Sequence, residues 1–108
     1  MELTFKRNDV PPPSVFQLLY SDGTVIDLTS CTVMFNLRLQ NSLLFISRAA
    51  AVIDALEGMV SFAWQTGDFA LSGTYQGEFE VTFPGGATRT VPSDSYIVIT
   101  VYDDVENG

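Results

Sequence analysis

The chain has 108 residues, of which 46% are hydrophobic and 17% are charged, and its formal net charge is −8. This length and composition predict one folded domain with its own core and argue against a disordered chain. The excess of acidic residues disfavours nucleic acid and anionic membranes as partners, because both are bound through clustered Lys and Arg.

The sequence has no histidine and a single cysteine, Cys31. These counts exclude histidine-dependent catalysis, an intrachain disulfide and a Cys/His zinc site. The calcium-loop pattern is also absent, so we predict no metal and no other cofactor. The first seven residues lack the basic-then-apolar pattern of a signal peptide, which predicts synthesis in a reducing cytoplasm.

The first 13 residues differ from the rest, because three consecutive prolines, at positions 11–13, form a stiff hinge. We predict that residues 1–13 form either an N-terminal arm or an edge strand. As an arm, this segment could add to a neighbour's sheet and would present Lys6 and Arg7, the only adjacent basic residues, to a partner. As an edge strand of this domain, it would use the same charges to protect its edge.

From residue 14 to residue 102 the dominant pattern is an alternation of apolar and polar residues, which is typical of strands that have one buried face. Turn signals rich in Gly, Pro, Asp and Ser separate these runs. One segment, residues 48–57, fits either a strand or a short helix, and the all-β surroundings favour the strand. The predicted strands are residues 15–20 and 25–28 as a hairpin, then 32–39, 59–65, 74–83, 88–91 and 96–102.

This pattern predicts an all-β fold, an immunoglobulin-like antiparallel β-sandwich of seven to eight strands without a disulfide. Asp68, Gly73 and Tyr75 support it, because an Asp, a short loop and Gly-Thr-Tyr entering a long strand are typical of a tyrosine corner. Antibody domains carry a Cys two residues after that Tyr, whereas this chain has Gly77. Residues 103–108 are predicted to be an acidic, solvated tail.

Several side chains are candidates for chemistry or binding. Glu78 and Glu80 share one strand face at a spacing found in glycosidases, but alternation on a wet face produces such pairs routinely. Trp64 and Tyr75 lie on the apolar phase of their strands, which favours core packing over sugar stacking. The candidates for partner binding are Lys6 and Arg7, Leu44 and Phe45 in the apolar run of residues 43–46, and Tyr96 and Tyr102 at the ends of the last predicted strand. Two-sided burial is the alternative for the apolar run and for the last strand.

The pattern as a whole resembles the N-terminal domain family of the baseplate upper proteins of tailed bacteriophages. The resemblance covers most of the chain, and its motifs combine a turn with a strand. They are residues 6–13 with Pro11-Pro12-Pro13, residues 22–29 with Asp22-Gly23-Thr24, residues 32–38 with Phe35-Asn36-Leu37, and residues 66–68, 73–86 and 91–97 with Gly73-Thr74-Tyr75 and Pro84-Gly85-Gly86.

This resemblance implies a non-enzymatic structural module of a virion that assembles in the host cytoplasm. Its implied partners are other virion proteins, namely baseplate, tail or major capsid proteins, and it also admits a homo-oligomer. Because baseplate members are usually the front part of a longer chain, a domain alone also suggests head decoration or a cement role. The alternative from another class is a carbohydrate-binding module for host adsorption, which would need exposed aromatic residues beside polar groups.

Overall fold

A computed structural model describes residues 1–103 and 105, and this part of the chain contains eight strands and no helix. The all-β prediction is therefore confirmed, and the ambiguous segment at residues 48–57 is mostly strand. The strands are β1 (Glu2–Lys6), β2 (Ser14–Gln17), β3 (Thr32–Leu39), β4 (Phe45–Asp54), β5 (Met59–Phe62), β6 (Gly73–Thr82), β7 (Thr88–Val91) and β8 (Ile97–Tyr102).

The strands form one continuous ladder in the order β1-β8-β6-β3-β4-β5-β2, and β7 also pairs with β6. All neighbours are antiparallel except β1 and β8, which run parallel. The prediction of a wholly antiparallel arrangement is wrong at this pair. β1 and β8 are the first and last strands, so the long chain between them leaves their relative direction free, whereas a tight hairpin would force them antiparallel.

Strand β4 turns the ladder into a curled sheet. Its first half pairs with β3, its second half pairs with β5, and a bulge lies at Ile53 between the last two paired positions. We call β1, β8, β7, β6, β3 and the first half of β4 the wide sheet, and the second half of β4 with β5 and β2 the narrow sheet. The two face each other, because Phe16 of β2 lies 5.0 Å from Phe79 of β6 and Phe35 of β3 lies 4.7 Å from Phe62 of β5, measured between ring centroids.

The core fills the space between the two sheets with alternate side chains of both. Trp64 and Tyr75 are buried, in agreement with their phase in the sequence. The indole N–H of Trp64 donates to the hydroxyl of Ser14 at 3.0 Å, so its one polar atom is satisfied. The largest fully buried side chains are Tyr75, Phe35, Phe62, Phe69, Phe79, Ile26, Leu28, Leu37 and Ile99.

The turn predicted between residues 15–20 and 25–28 forms, because Leu19 bridges Val25 and the N–H groups of Tyr20 and Ile26 donate to the carbonyls of Thr24 and Leu18 at 2.8 and 3.0 Å. The strands on either side are shorter than predicted, since β2 ends at Gln17. The carboxylates of Asp22 and Asp27 each accept the backbone N–H two residues further on, at 3.0 and 2.9 Å. Such local bonds compete with a strand ladder for the same backbone groups. The strand predicted over residues 59–65 likewise ends at Phe62.

Both ends of the described chain join the wide sheet. β1 pairs with β8 along its whole length, so the first segment is an edge strand of this domain and not a free arm. β8 lies between β6 and β1, but only one of its faces is buried, which corrects the expectation that both faces are covered. Most of the predicted acidic tail lies outside the described residues.

Candidate functional site

The two outer faces of the curled sheet are the candidate sites, and they differ in chemistry. On the wide sheet the outward positions of β3 and β6 are polar apart from Met34, and they include Arg38, Glu78 and Glu80. On the narrow sheet the outward positions include Val15, Ala51, Ile53, Met59 and Ser61, which we call the apolar face, and polar Gln17 and Asp54 lie on either side of Met59 at one end of it.

The outer face of the wide sheet contains a shallow depression with a volume of ≈ 170 Å³. Two of the predicted partner-binding residues meet here, Phe45 at 61% and Tyr96 at 45% relative exposure. Polar side chains of β3 and β6 complete the depression, so aromatic rings and hydrogen-bonding groups lie side by side. Its lining residues are Asn36, Arg38, Phe45, Gln76, Glu78 and Tyr96.

The polar groups in this depression partly satisfy each other. Arg38 donates to the side-chain oxygen of Gln76 at 2.7 Å, and the hydroxyl of Ser47 donates to the side-chain oxygen of Asn36 at 2.7 Å. Glu78 forms no ion pair within residues 1–103 and 105. These fixed groups and the free carboxylate can hydrogen-bond to a polar ligand without rearrangement of the sheet.

The apolar face combines exposure with a lack of charge. Val15, Ser61 and Ala51 lie side by side across the three strands of the narrow sheet. Val15 is 53% exposed and Ile53, at the bulge, is 55% exposed. Asp54 marks the end of this face, where its carboxylate accepts the backbone N–H of Glu57 at 3.3 Å. The face was not evident from the sequence because it depends on the pairing of β5 with β2, which is distant in the chain.

The remaining predicted partner-binding residues lie elsewhere. Lys6 is opposite Tyr102 in the register of β1 and β8, and Arg7 contacts the carboxylate of Asp103 at 3.4 Å, so these residues share one end of the wide sheet. Leu44 is half-buried and packs against the core, whereas its neighbour Leu43 is fully exposed.

An ion pair that the sequence did not reveal ties β4 to the connection between β5 and β6. Arg48 points inward from β4 and donates to both carboxylate oxygens of Asp68 at 2.8 and 2.6 Å, and to the carbonyl of Ala63 at 3.0 Å. Asp68 is 6% exposed, and its carboxylate also accepts the backbone N–H of Gln65 at 2.8 Å. The guanidinium lies 4.9 Å from the ring centre of Phe62. The available signal was an arginine on the buried phase of a strand.

These contacts decide the protonation of Asp68. Burial works to raise the pKa of its carboxyl, but the hydrogen bonds from Arg48 and Gln65 and the charge of Arg48 together lower the pKa below its ordinary value of 3.8. Asp68 is therefore ionised at neutral pH. Its role in the structure is to bind Arg48 and cap the loop.

Tyr75 and Gly77 set the start of β6. The phenol of Tyr75 donates to the backbone carbonyl of Leu71 at 2.6 Å, which is the upstream contact that defines a tyrosine corner. Gly73 has φ of +138°, a conformation that favours glycine. A Cβ at Gly77 would lie 2.7 Å from Phe35, so an aromatic ring occupies the space next to the position where antibody domains have their cysteine.

Residues 1–103 and 105 contain no group of three or more Cys, Asp or Glu side chains arranged to hold a metal ion. The same residues contain no helix of the length and hydropathy that a membrane crossing requires.

The family model described as the BppU N-terminal domain matches residues 4–106, which is nearly the whole chain. No curated protein shows significant similarity to the sequence.

Proposed function

This chain belongs to the BppU N-terminal domain family, a structural component of phage baseplates, and from that premise we propose that it is a non-enzymatic module that docks on other virion proteins. Membership makes it a phage structural protein of the baseplate or tail. The docking role, the partners and an immunoglobulin-like classification of the curled sheet are parts of the proposal.

The apolar face is the observation that supports docking. The chain carries a net charge of −8, yet the row formed by Val15, Ser61 and Ala51 contains no charge. The centres of protein–protein interfaces are depleted in charged residues, because an unpaired charge is costly to desolvate. We therefore assign the apolar face to the contact with a neighbouring virion protein.

The test is attachment to the particle. Ala51→Glu places a carboxylate in the centre of the apolar face, and Thr88→Glu places the same charge at an exposed position on the wide sheet. Particles assembled in cells that supply each variant are purified, and the amount of the protein per particle is measured. We expect at least a tenfold loss of occupancy for Ala51→Glu and none for Thr88→Glu.

Two further measurements make this result decisive. Thermal melting of the free proteins must show that both variants fold like the wild type, since both sites are exposed. Antibody labelling of intact particles then locates the protein at the baseplate or tail. Normal occupancy of Ala51→Glu would refute the assignment of the face, and labelling of the head alone would refute the baseplate or tail location.

The depression on the wide sheet supports a second candidate function, the binding of a host saccharide. Exposed Phe45 and Tyr96 beside the polar groups of β3 and β6 are the features that stacking and hydrogen bonding to a sugar ring require. A glycan array tests it with Tyr96→Ala, and with Tyr102→Ala as the matched control, because Tyr102 is similarly exposed but lies outside the depression. Binding that is lost only in Tyr96→Ala supports this function, and no binding by the wild type refutes it.

A further inference from the structure

Within residues 1–103 and 105, no strand pairs with the outer edge of β1. The hydrogen bonds between β1 and β8 show which backbone groups of β1 point to that edge. The carbonyl of Met1 accepts from the N–H of Val98 at 3.0 Å, and the N–H of Arg7 donates to the carbonyl of Tyr102 at 2.7 Å. Backbone groups alternate in direction along a strand, so the odd-numbered residues of β1 face β8. Glu2, Thr4 and Lys6 therefore direct their N–H and C=O groups to the free edge.

The side chains of the same three residues carry a negative charge, no charge and a positive charge in that order. An antiparallel copy of the strand therefore presents the opposite charge at each end. Glu2, Thr4 and Lys6 are all exposed on the outer face, with Thr4 midway between the two opposite charges. Neither Glu2 nor Lys6 forms an ion pair within the described chain. If two copies of β1 pair antiparallel about Thr4, Glu2 of each copy lies directly opposite Lys6 of the other.

We propose that β1 is a self-association edge, to which the β1 strand of a second copy of this chain adds antiparallel with the two-fold axis at Thr4. In this register the two Thr4 residues exchange hydrogen bonds, and the N–H of each Lys6 donates to the carbonyl of Glu2. The N–H of each Glu2 in turn donates to the carbonyl of Lys6, which also accepts from the N–H of Asp9 at 3.2 Å and has a second lone pair for this bond. On the inner side, half-buried Leu3 of one copy lies opposite half-buried Phe5 of the other.

Other registers and directions lose this complementarity. Moving the axis to Leu3 or Phe5 brings Thr4 opposite one charge and leaves the other without a partner. An in-register parallel pairing brings like charges together. A two-fold arrangement occupies the β1 edge of both copies. Association through this edge therefore stops at a dimer and does not continue into a fibre.

The first test uses charge reversal and sedimentation velocity over a range of protein concentrations, with any tag at the C-terminus so that β1 stays free. Lys6→Glu and Glu2→Lys each create two like-charge pairs in the dimer. We expect each to raise the dissociation constant on the order of tenfold or more. Overall repulsion between acidic chains predicts a different result, because Glu2→Lys makes the chain less acidic and would then strengthen the dimer.

Mixing the two variants sharpens the test. The Glu2→Lys chain carries two lysines on this edge and the Lys6→Glu chain carries two glutamates, so every lysine of one chain faces a glutamate of the other. A heterodimer therefore forms at wild-type strength, and the double variant Glu2→Lys/Lys6→Glu forms a homodimer. A monomeric wild type at about 1 mM, an undiminished Lys6→Glu dimer or the absence of the heterodimer would each overturn the proposal.

A backbone variant tests the edge itself. Thr4→Pro removes an N–H that points away from β8, so the monomer keeps its fold while the dimer is lost. Thr4→Val, which keeps the N–H, should dimerise like the wild type. Ala51→Glu should also dimerise normally, because the apolar face lies on the other sheet, and this separates self-association from docking. Normal dimerisation of Thr4→Pro would contradict the proposal, and if this variant fails to fold, the charge-reversal pair decides alone.

Discussion

The two outer faces of the curled sheet obey the same rule of alternation but carry different side chains. On the wide sheet the outward residues of β6 include Gln76, Glu78 and Glu80, as expected for a face in contact with water. On the narrow sheet the corresponding positions are mainly aliphatic and uncharged. The inward residues of both sheets form the core, and the proposed docking role rests on the apolar residues outside the narrow sheet.

Strand β4 belongs to both sheets and bends where it passes from one to the other. Close to this bend, on the inner side of β4, Arg48 binds Asp68. This contact belongs to the interior of the molecule although it is made of charges. We therefore expect the same kind of substitution to reduce stability more in the interior than on either exterior face.

The largest effect is expected where β4 bends. Arg48→Met leaves the carboxylate of Asp68 buried with only the Gln65 N–H as a partner. Removing one member of a buried ion pair typically costs several kcal/mol, so we expect the free energy of unfolding to fall by about 3 kcal/mol. The matched control is Arg38→Met on the outer face, with a loss below about 0.5 kcal/mol. If urea denaturation gives the same loss of unfolding free energy for both variants, the ion pair of Arg48 does not stabilise the interior.

Acid should reduce the difference between Arg48→Met and the wild type. The pKa of Asp68 is lowered in the folded protein, so its ion pair contributes fully above pH ~4 and this contribution is lost as pH falls through the folded-state pKa. Urea midpoints measured from about pH 7 to about pH 2.5 should therefore converge for these two proteins. A constant gap over this range would mean that the methionine acts through packing alone.

The next effect concerns neighbouring residues of β6 that point in opposite directions. Gly77→Ala would place a methyl group 2.7 Å from the fully buried ring of Phe35. Overpacking of a filled core typically costs roughly 1–3 kcal/mol, and we expect about 2 kcal/mol here. Gln76→Ala, one residue away on the outer face, should cost less than about 0.5 kcal/mol. Thermal melting compares the two, and a neutral Gly77→Ala would show that this part of the interior can expand.

A smaller loss is expected at the entry to β6. Tyr75→Phe removes the hydroxyl that donates to the Leu71 carbonyl and leaves the ring in the core. One such buried hydrogen bond contributes about 1 kcal/mol. Urea denaturation should detect this loss, and Tyr102→Phe on the exposed end of β8 is the control without loss. If Tyr75→Phe is as stable as the wild type, the corner does not stabilise the fold.

The interior was largely predictable from the sequence, because alternation within one strand is a local signal. It gave the inward positions of Phe35, Phe79 and Val81 correctly, and it placed Trp64 and Tyr75 in the core. It overestimated the strand at residues 25–28, which makes only a bridge from Val25 to Leu19 and is followed by a turn where Asp27 accepts the N–H of Thr29. It also could not show that β1 pairs parallel to β8, since that choice depends on contacts between the two ends of the chain.

The candidate sites were less predictable for the same reason. The sequence indicated Phe45 and Tyr96 as exposed aromatics, but only the fold brings them to one depression. The apolar face joins β2, β5 and β4, whose residues look unremarkable when each strand is read alone. Arg48 was passed over because the pairing of an inward arginine with Asp68 requires the loop after β5 to fold back.

The smallest effect on stability is expected at the apolar face, and it separates folding from docking. Val15 is 53% exposed, whereas its neighbour Phe16 is 3% exposed, so the two residues of β2 occupy opposite sides of one strand. Val15→Thr keeps the branched shape that suits a strand and should change the free energy of unfolding by less than about 0.5 kcal/mol. Phe16→Ala supplies the contrast, with an expected loss of about 3–5 kcal/mol. A large loss in Val15→Thr would mean that the narrow sheet needs its outer residues to fold, and the argument that they are exposed for a partner would lose its basis.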